Sequence, residues 1–142
     1  MNLLALLFFV SLNLQIQPTG KLIVKITNID STADGQLVCN LYDKKSDWLD
    51  TDKVYHKITI PITADSAIVH FDSLRYSDSY ALQIFHDADE NGTLNFSFFP
   101  IPGPKEGVGV SNNKFRMGPP AYKDTKFTIN QPTTHLKIRL KY

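Results

Sequence analysis

A single cysteine among 142 residues excludes an intrachain disulfide, so rigidity must come from packing or from a bound ion. Cys39 runs in phase with Leu37 and Leu41, which places it on a buried strand face as a small core side chain and not as a nucleophile. An excess of one charge is missing as well: 15 Lys and Arg against 14 Asp and Glu leave +1, without the cationic footprint of a nucleic-acid binder. The two signs are nevertheless unevenly spread. Residues 30–90 carry twelve acids against five bases, whereas residues 114–142 carry seven bases against Asp124 alone. Two differently charged surfaces follow, the first favouring a cation or a basic partner. Also absent are the Gly-Lys-Ser/Thr of a phosphate loop between Gly103 and Gly109, any zinc-type histidine spacing, and a G-x-S-x-G around Ser111. The sequence therefore gives no support to nucleotide binding, zinc or triad chemistry.

No apolar run reaches the roughly 20 residues of a membrane-spanning helix. Leu3 to Leu14 instead has the length of a signal-peptide h-region, and cleavage near Gln17 would leave residues 18–142 as one exported domain, periplasmic or extracellular and with no membrane span. The segment ahead of this run has no Lys or Arg, and no Ala-x-Ala precedes the cut. An N-terminal core strand is the alternative reading.

What the chain does have is period-two alternation. Leu22, Val24 and Ile26 mark one strand; Leu37, Cys39 and Leu41 a second; Ile58, Ile60 and Ile62 a third; Ala67, Val69 and Phe71 a fourth, with Ala64-Asp65 as a hairpin turn between them. Tyr80, Leu82 and Ile84 give a fifth, Phe127 and Ile129 a sixth, and Leu136, Ile138, Leu140 and Tyr142 the last and cleanest. About seven strands and no sustained helical spacing predict an all-β single sandwich of immunoglobulin-like or transthyretin/prealbumin-like type. Charged residues 43–53 around Trp48 suit one helical turn, with Trp48 as a lid on the core. Phe99 to Tyr122 holds five of the eight prolines and four of the seven glycines, a long loop that either packs down over a sheet edge or carries function.

The most specific motif is Asp87-Ala-Asp89-Glu-Asn91-Gly92-Thr93-Leu-Asn95, directly after the fifth strand. Alternating oxygens followed by a glycine that lets the chain bend reproduce the first nine positions of a calcium loop. Asp87, Asp89 and Asn91 would supply side-chain oxygens, Thr93 its carbonyl, and Asn95 a direct or water-mediated contact. Phe98 stands where the closing Glu of an EF-hand belongs, and no helices flank the loop, so an EF-hand is rejected. The last carboxylate must come from elsewhere, with Glu106 the candidate and Glu90 a weaker one. A metal-free Asx turn is the competing reading; if a cation binds, a structural Ca²⁺ is favoured over a catalytic one. His86 is placed to brace Asp87 or a loop carbonyl, and the acceptors Asn91-Gly-Thr and Asn95-Phe-Ser read as incidental glycosylation sequons.

Tyr80-Ala-Leu-Gln-Ile-Phe-His-Asp87 with its Asp/Asn/Gly loop, the run Pro100 to Pro104, Glu106-Gly-Val-Gly-Val-Ser111-Asn112-Asn113 and Gly118-Pro119-Pro120-Ala-Tyr122 resemble, in order, the motifs of the 2141 family of domains of unknown function. Asn95 stands where that family commonly has Asp, Val108 and Val110 replace aromatics, and Tyr122 replaces Phe. The resemblance implies an exported bacterial β-sandwich and no established activity. Three functions compete on the sequence. One is a cation-stabilised binding or accessory module meeting an envelope protein or glycan. Another is a metal-dependent hydrolase using His86, Asp87, Asp89 and Glu106. The third is a carbohydrate-binding module, whose exposed aromatics could come only from Tyr55, Tyr76, Phe99 and Tyr122.

Overall fold

The computed structural model describes residues 15–98, 100 and 102–142. Most of the expected leader, and positions Phe99 and Ile101 of the long loop, lie outside the described residues. Residues 15–18 are exposed and without regular structure. Among the described residues the strands are β1 (Thr19–Thr27), β2 (Gln36–Tyr42), β3 (His56–Pro61), β4 (Ser66–Arg75), β5 (Ser77–Asp87), β6 (Phe96–Ser97), β7 (Gly103–Pro104), β8 (Val108–Val110), β9 (Phe127–Ile129) and β10 (Thr133–Arg139), with one short helix, α1 (Tyr122–Thr125).

All seven strands expected from alternation are present, and they pack as a sandwich. One sheet has the order β10-β1-β4; the other has β3-β2-β5-β8, with β9 pairing on the first half of β5. The inward residues are those the alternation selects except Tyr142, which lies past the end of β10 and is exposed. Leu22, Val24 and Ile26 of β1 meet Leu37, Cys39 and Leu41 of β2 and Leu82 and Ile84 of β5 in one cluster, all fully buried. Each such aliphatic side chain contributes roughly 1.5–3 kcal/mol by leaving water. Burial in this cluster also pushes the Cys39 thiol up to about 12, which keeps it protonated and inert.

Two connections differ from expectation. Ala64-Asp65 is not a hairpin turn, because β3 pairs with β2 and β4 pairs with β1; the segment crosses from one sheet to the other, held by the Ile29 N–H on the Asp65 carbonyl at 3.0 Å. β10, whose clean alternation would suit a central strand, lies at an edge and runs parallel to β1. Alternation reports which face is buried and carries no information on which neighbour a strand takes. The long loop is also not structureless: β6 and β7 form a small hairpin, and β8 pairs with β5 before the chain reaches α1.

The β2–β5 sheet is buried on its second face too, through Val38, Asn40, Tyr42, Ala81, Gln83 and Phe85. Trp48, between two 3-10 turns at Lys45–Asp47 and Thr51–Lys53, sits edge-on to Tyr42 with centroids 5.3 Å apart. Its indole N–H donates to the Pro120 carbonyl at 2.8 Å, so the expected lid is also a fastening for the excursion that leaves β5 at Asp87 and returns at β9. Among the described residues no helix is long and apolar enough to cross a membrane.

Candidate metal centre and the clamps around it

Asp87 ends β5, opposite Gln36 in the register with β2. Gly35 just before it has φ +108° and lies against the Asp87 carbonyl with no space for a Cβ, so the backbone under the carboxylate is fixed. The Asp87 side chain then organises the loop. Its Oδ1 accepts the Asn91 N–H at 3.0 Å, and its Oδ2 accepts the Gly92 N–H at 2.8 Å and the Gln36 amide at 3.0 Å. Glu90 and Gly92 take left-handed φ values of 55° and 79° to close the bend, the conformation for which glycine was expected at position 92.

Glu106 reaches the same place from the other side of the β6–β7 hairpin. Its Oε1 accepts the Ala88 N–H at 3.0 Å, and its Oε2 accepts the Asn95 N–H at 2.9 Å. Carboxylate oxygens of Asp87, Asp89 and Glu106 lie within 4.8 Å of one another, Asp87 and Glu106 buried and Asp89 exposed. Glu106, the carboxylate expected from outside the loop, is one of the three, and Glu90 is not.

Asn91 and Asn95 join the cluster through nitrogen. The Asn91 Nδ2 donates to Asp89 Oδ2 and to Asn95 Oδ1, both at 3.0 Å; the Asn95 Nδ2 donates to Asp89 Oδ2 at 3.0 Å and to Glu106 Oε1 at 3.3 Å. The Asn95 amide beside it is the main reason the Asp89 carboxyl is held below the usual carboxylate range. Thr93 is turned inward on Asn91, its N–H and hydroxyl both donating to the Asn91 Oδ1. Among the described residues neither Asp87 nor Glu106 forms an ion pair; the two salt bridges are Lys53–Asp50 and Arg75–Asp43.

His86 faces away from the cluster. Its Nε2 lies 2.8 Å from the Asp34 carbonyl, which can only accept, so this nitrogen is the donor. Nδ1 lies 2.9 Å from the Tyr142 hydroxyl, whose oxygen accepts the Asp30 N–H. With both nitrogens engaged, His86 braces a loop carbonyl, one of the two roles expected for it.

The remaining motifs are fastenings. Ser111, fully buried, accepts the Leu82 N–H at 3.0 Å and donates to the Thr125 carbonyl. Asn112 donates to the Asp124 and Lys126 carbonyls at 3.2 and 3.0 Å, holding the end of α1. Asn113 takes the place of a strand residue at the edge of β10: its Nδ2 donates to the Lys137 carbonyl and its Oδ1 accepts the Arg139 N–H, both at 2.8 Å. Tyr122 donates to the Ser79 carbonyl and stands edge-on to Trp48 at 6.0 Å. Tyr55 packs on Tyr80. Of the described candidates for a sugar platform, only Tyr76 is among the exposed large side chains. The bonding roles of Gln36, Asn112, Asn113 and Tyr142 were not read from sequence, where Tyr142 counted only as a strand residue and Asn112-Asn113 only as part of a motif; the one available signal was the Asn-Asn pair, since asparagine tolerates φ of 63° and 51° better than other non-glycine residues.

The pattern of a family of uncharacterized proteins conserved in bacteria, DUF2141, matches residues 24–137. No curated protein and no solved structure matches the chain.

Proposed function

Taking as premise that the chain belongs to DUF2141, a family that carries no biochemical assignment, we propose that it is an exported binding or accessory module of the cell envelope whose excursion is stiffened by a structural Ca²⁺. The observation that carries this reading is the convergence of Asp87, Asp89 and Glu106, two of them buried and without a basic partner among the described residues. Buried carboxylates are ordinarily paired or bound to a metal. Each of the three still has an oxygen with one protein donor, namely Asp87 Oδ1, Asp89 Oδ1 and Glu106 Oε2. Rotating the Asn91 and Asn95 amides would exchange nitrogen for oxygen and complete an all-oxygen set suited to a hard cation. The ion would tie the loop after β5 to the segment before β8, doing for this domain what a disulfide does in others.

A structural role fits better than hydrolysis. A catalytic ion needs an open position and a free base beside it, whereas the carboxylates here hold the backbone amides of residues 88, 91, 92 and 95, and His86 is committed to Asp34 and Tyr142.

The test is a thermal melt of the purified domain with EDTA and with Ca²⁺, alongside calorimetric titration. Ca²⁺ at 100 times its dissociation constant should add about 2.7 kcal/mol of stability, and Asp89→Ala should abolish that gain while leaving the metal-free fold intact. No heat of binding at millimolar Ca²⁺, together with an unchanged melt in EDTA, would return the cluster to a metal-free Asx corner. Export has its own check: native protein should begin near Gln17 and fractionate outside the cytoplasm, and intact Met1 on cytoplasmic protein would refute it.

A further inference from the structure

On the far side of the sandwich from the core, the β10-β1-β4 sheet turns a second face outward, and its charge is of one sign along one seam. β1 contributes Lys21 and Lys25, and β10 contributes Lys137 and Arg139, all exposed, while the alternate residues Leu22, Val24, Ile26 and Ile138 are buried. The parallel register sets Lys25 directly beside Lys137, and Arg139 one step further along beside Thr27. Like charges at directly opposed positions repel and destabilise a sheet. Among the described residues none of the four is paired with a carboxylate, since the salt bridges are Lys53–Asp50 and Arg75–Asp43. From the level of Lys21 to that of Arg139 the stripe extends about 20 Å, at roughly 3.3 Å per residue.

We propose that this seam binds a linear acidic polysaccharide, its carboxylates or sulfates lying along the cations of β1 and β10. Charge complementarity selects an anion, and the layout selects the kind. The neighbouring strand β4 presents Ser66, Ile68, His70 and the acidic Asp72 on the same sheet, so the positive charge forms a stripe and not the plateau that a lipid surface would meet. The one exposed aromatic ring in the stripe is His135, beside Ile23, and single-stranded nucleic acid would need several along the seam to stack successive bases. A polymer with spaced anions relieves the Lys25–Lys137 repulsion without asking for a groove. The stripe shares no residue with the carboxylate cluster and does not depend on a metal there.

The experiment uses the full chain with polygalacturonate as probe and with dextran, a DNA duplex and phosphatidylglycerol vesicles as comparisons, by calorimetry and thermal shift at 50 and 300 mM NaCl. Polygalacturonate should bind and raise the melting temperature at low salt, with at least a tenfold loss of affinity at high salt, and dextran should not bind. Lys25→Gln with Lys137→Gln should weaken binding at least tenfold while melting no lower than the parent without ligand, because the repulsion has been removed. Lys44→Gln with Lys45→Gln, exposed elsewhere, should bind as the parent does. Equal loss in both double variants, absence of polygalacturonate binding at low salt, or tighter binding of the DNA duplex or vesicles would each overturn the proposal. EDTA leaves the expected result unchanged, which separates this face from the cation reading.

Discussion

The two-sheet core and the excursion from Asp87 to β9 are held by different kinds of interaction. In the core, Leu22, Val24, Ile26, Leu82 and Ile84 contribute through area removed from water, a non-directional force that tolerates exchange of one aliphatic for another of similar size. In the excursion, a handful of polar side chains each satisfy named backbone groups: Asp87 holds residues 91 and 92, Glu106 holds 88 and 95, and Asn113 holds 137 and 139. The first arrangement degrades gradually under mutation. The second depends on single atoms: where the donor is partly buried, as at Asp87 and Glu106, leaving it without its acceptor costs more than an average hydrogen bond contributes.

The comparison can be broken first where the core should lose most. Ile138→Ala should cost about 2–5 kcal/mol in denaturant unfolding, as other large-to-small core changes do, while Lys137→Ala, on the opposite face, should stay within about 0.5 kcal/mol of the parent. Comparable losses at both positions would remove the distinction between the faces of β10. Asp87→Ala comes next: the Gly92 N–H and the Gln36 amide lose their acceptor and the Asn91 N–H keeps only Asp89 Oδ1 at 3.3 Å, at about 1–3 kcal/mol. Hydrogen exchange should accelerate at residues 91 and 92 and remain slow in β2 and β5. Asn113→Ala should cost about 0.5–1.5 kcal/mol, with faster exchange confined to the Arg139 amide. Cys39 sharpens the contrast without mutation. Its thiol, pushed up to about 12 by burial, should resist aromatic disulfide reagents in the native protein and in Asp87→Ala alike, reacting only on global unfolding; early reaction in Asp87→Ala would show that excursion and core open together.

The smallest expected effect is electrostatic. Asp89 is held below its ordinary value, chiefly by the Asn95 amide, so its stabilising contribution is present above the unfolded carboxyl's titration, near pH 3.9, and disappears as pH falls through the lower folded value. An NMR titration should find its midpoint below about 3.9, and Asn95→Ala should move it upward. A midpoint unchanged by Asn95→Ala would remove that hydrogen bond from the account.

The strands were legible because burial on one face writes itself into alternate positions, as in Leu22-Val24-Ile26 and Leu37-Cys39-Leu41. Chain-distant pairing leaves no such mark, so the edge position of β10 and the crossing at Ala64-Asp65 could not be read from local pattern. In the site, Asp87, Asp89 and Glu106 could be named because the chemistry of a hard cation demands oxygens at a countable spacing plus one from outside. The role of Asn113 escaped because an asparagine beside a turn looks the same whether it caps its own loop or completes the edge of a strand 24 residues away.

The parallel seam of β1 and β10 also has a kinetic meaning. Parallel neighbours cannot be joined by a tight turn, and here the connection is nearly the whole domain, as in the Asn28 amide that donates to the Leu140 carbonyl 112 residues along the chain. A folding chain can pair β1 with β4 early, but one side of β1 must wait until residues 133–139 reach it. Contacts of such long sequence separation slow folding and prolong the life of an unpaired strand edge, so closure of this seam is the step at which the folding chain stops being vulnerable to its neighbours.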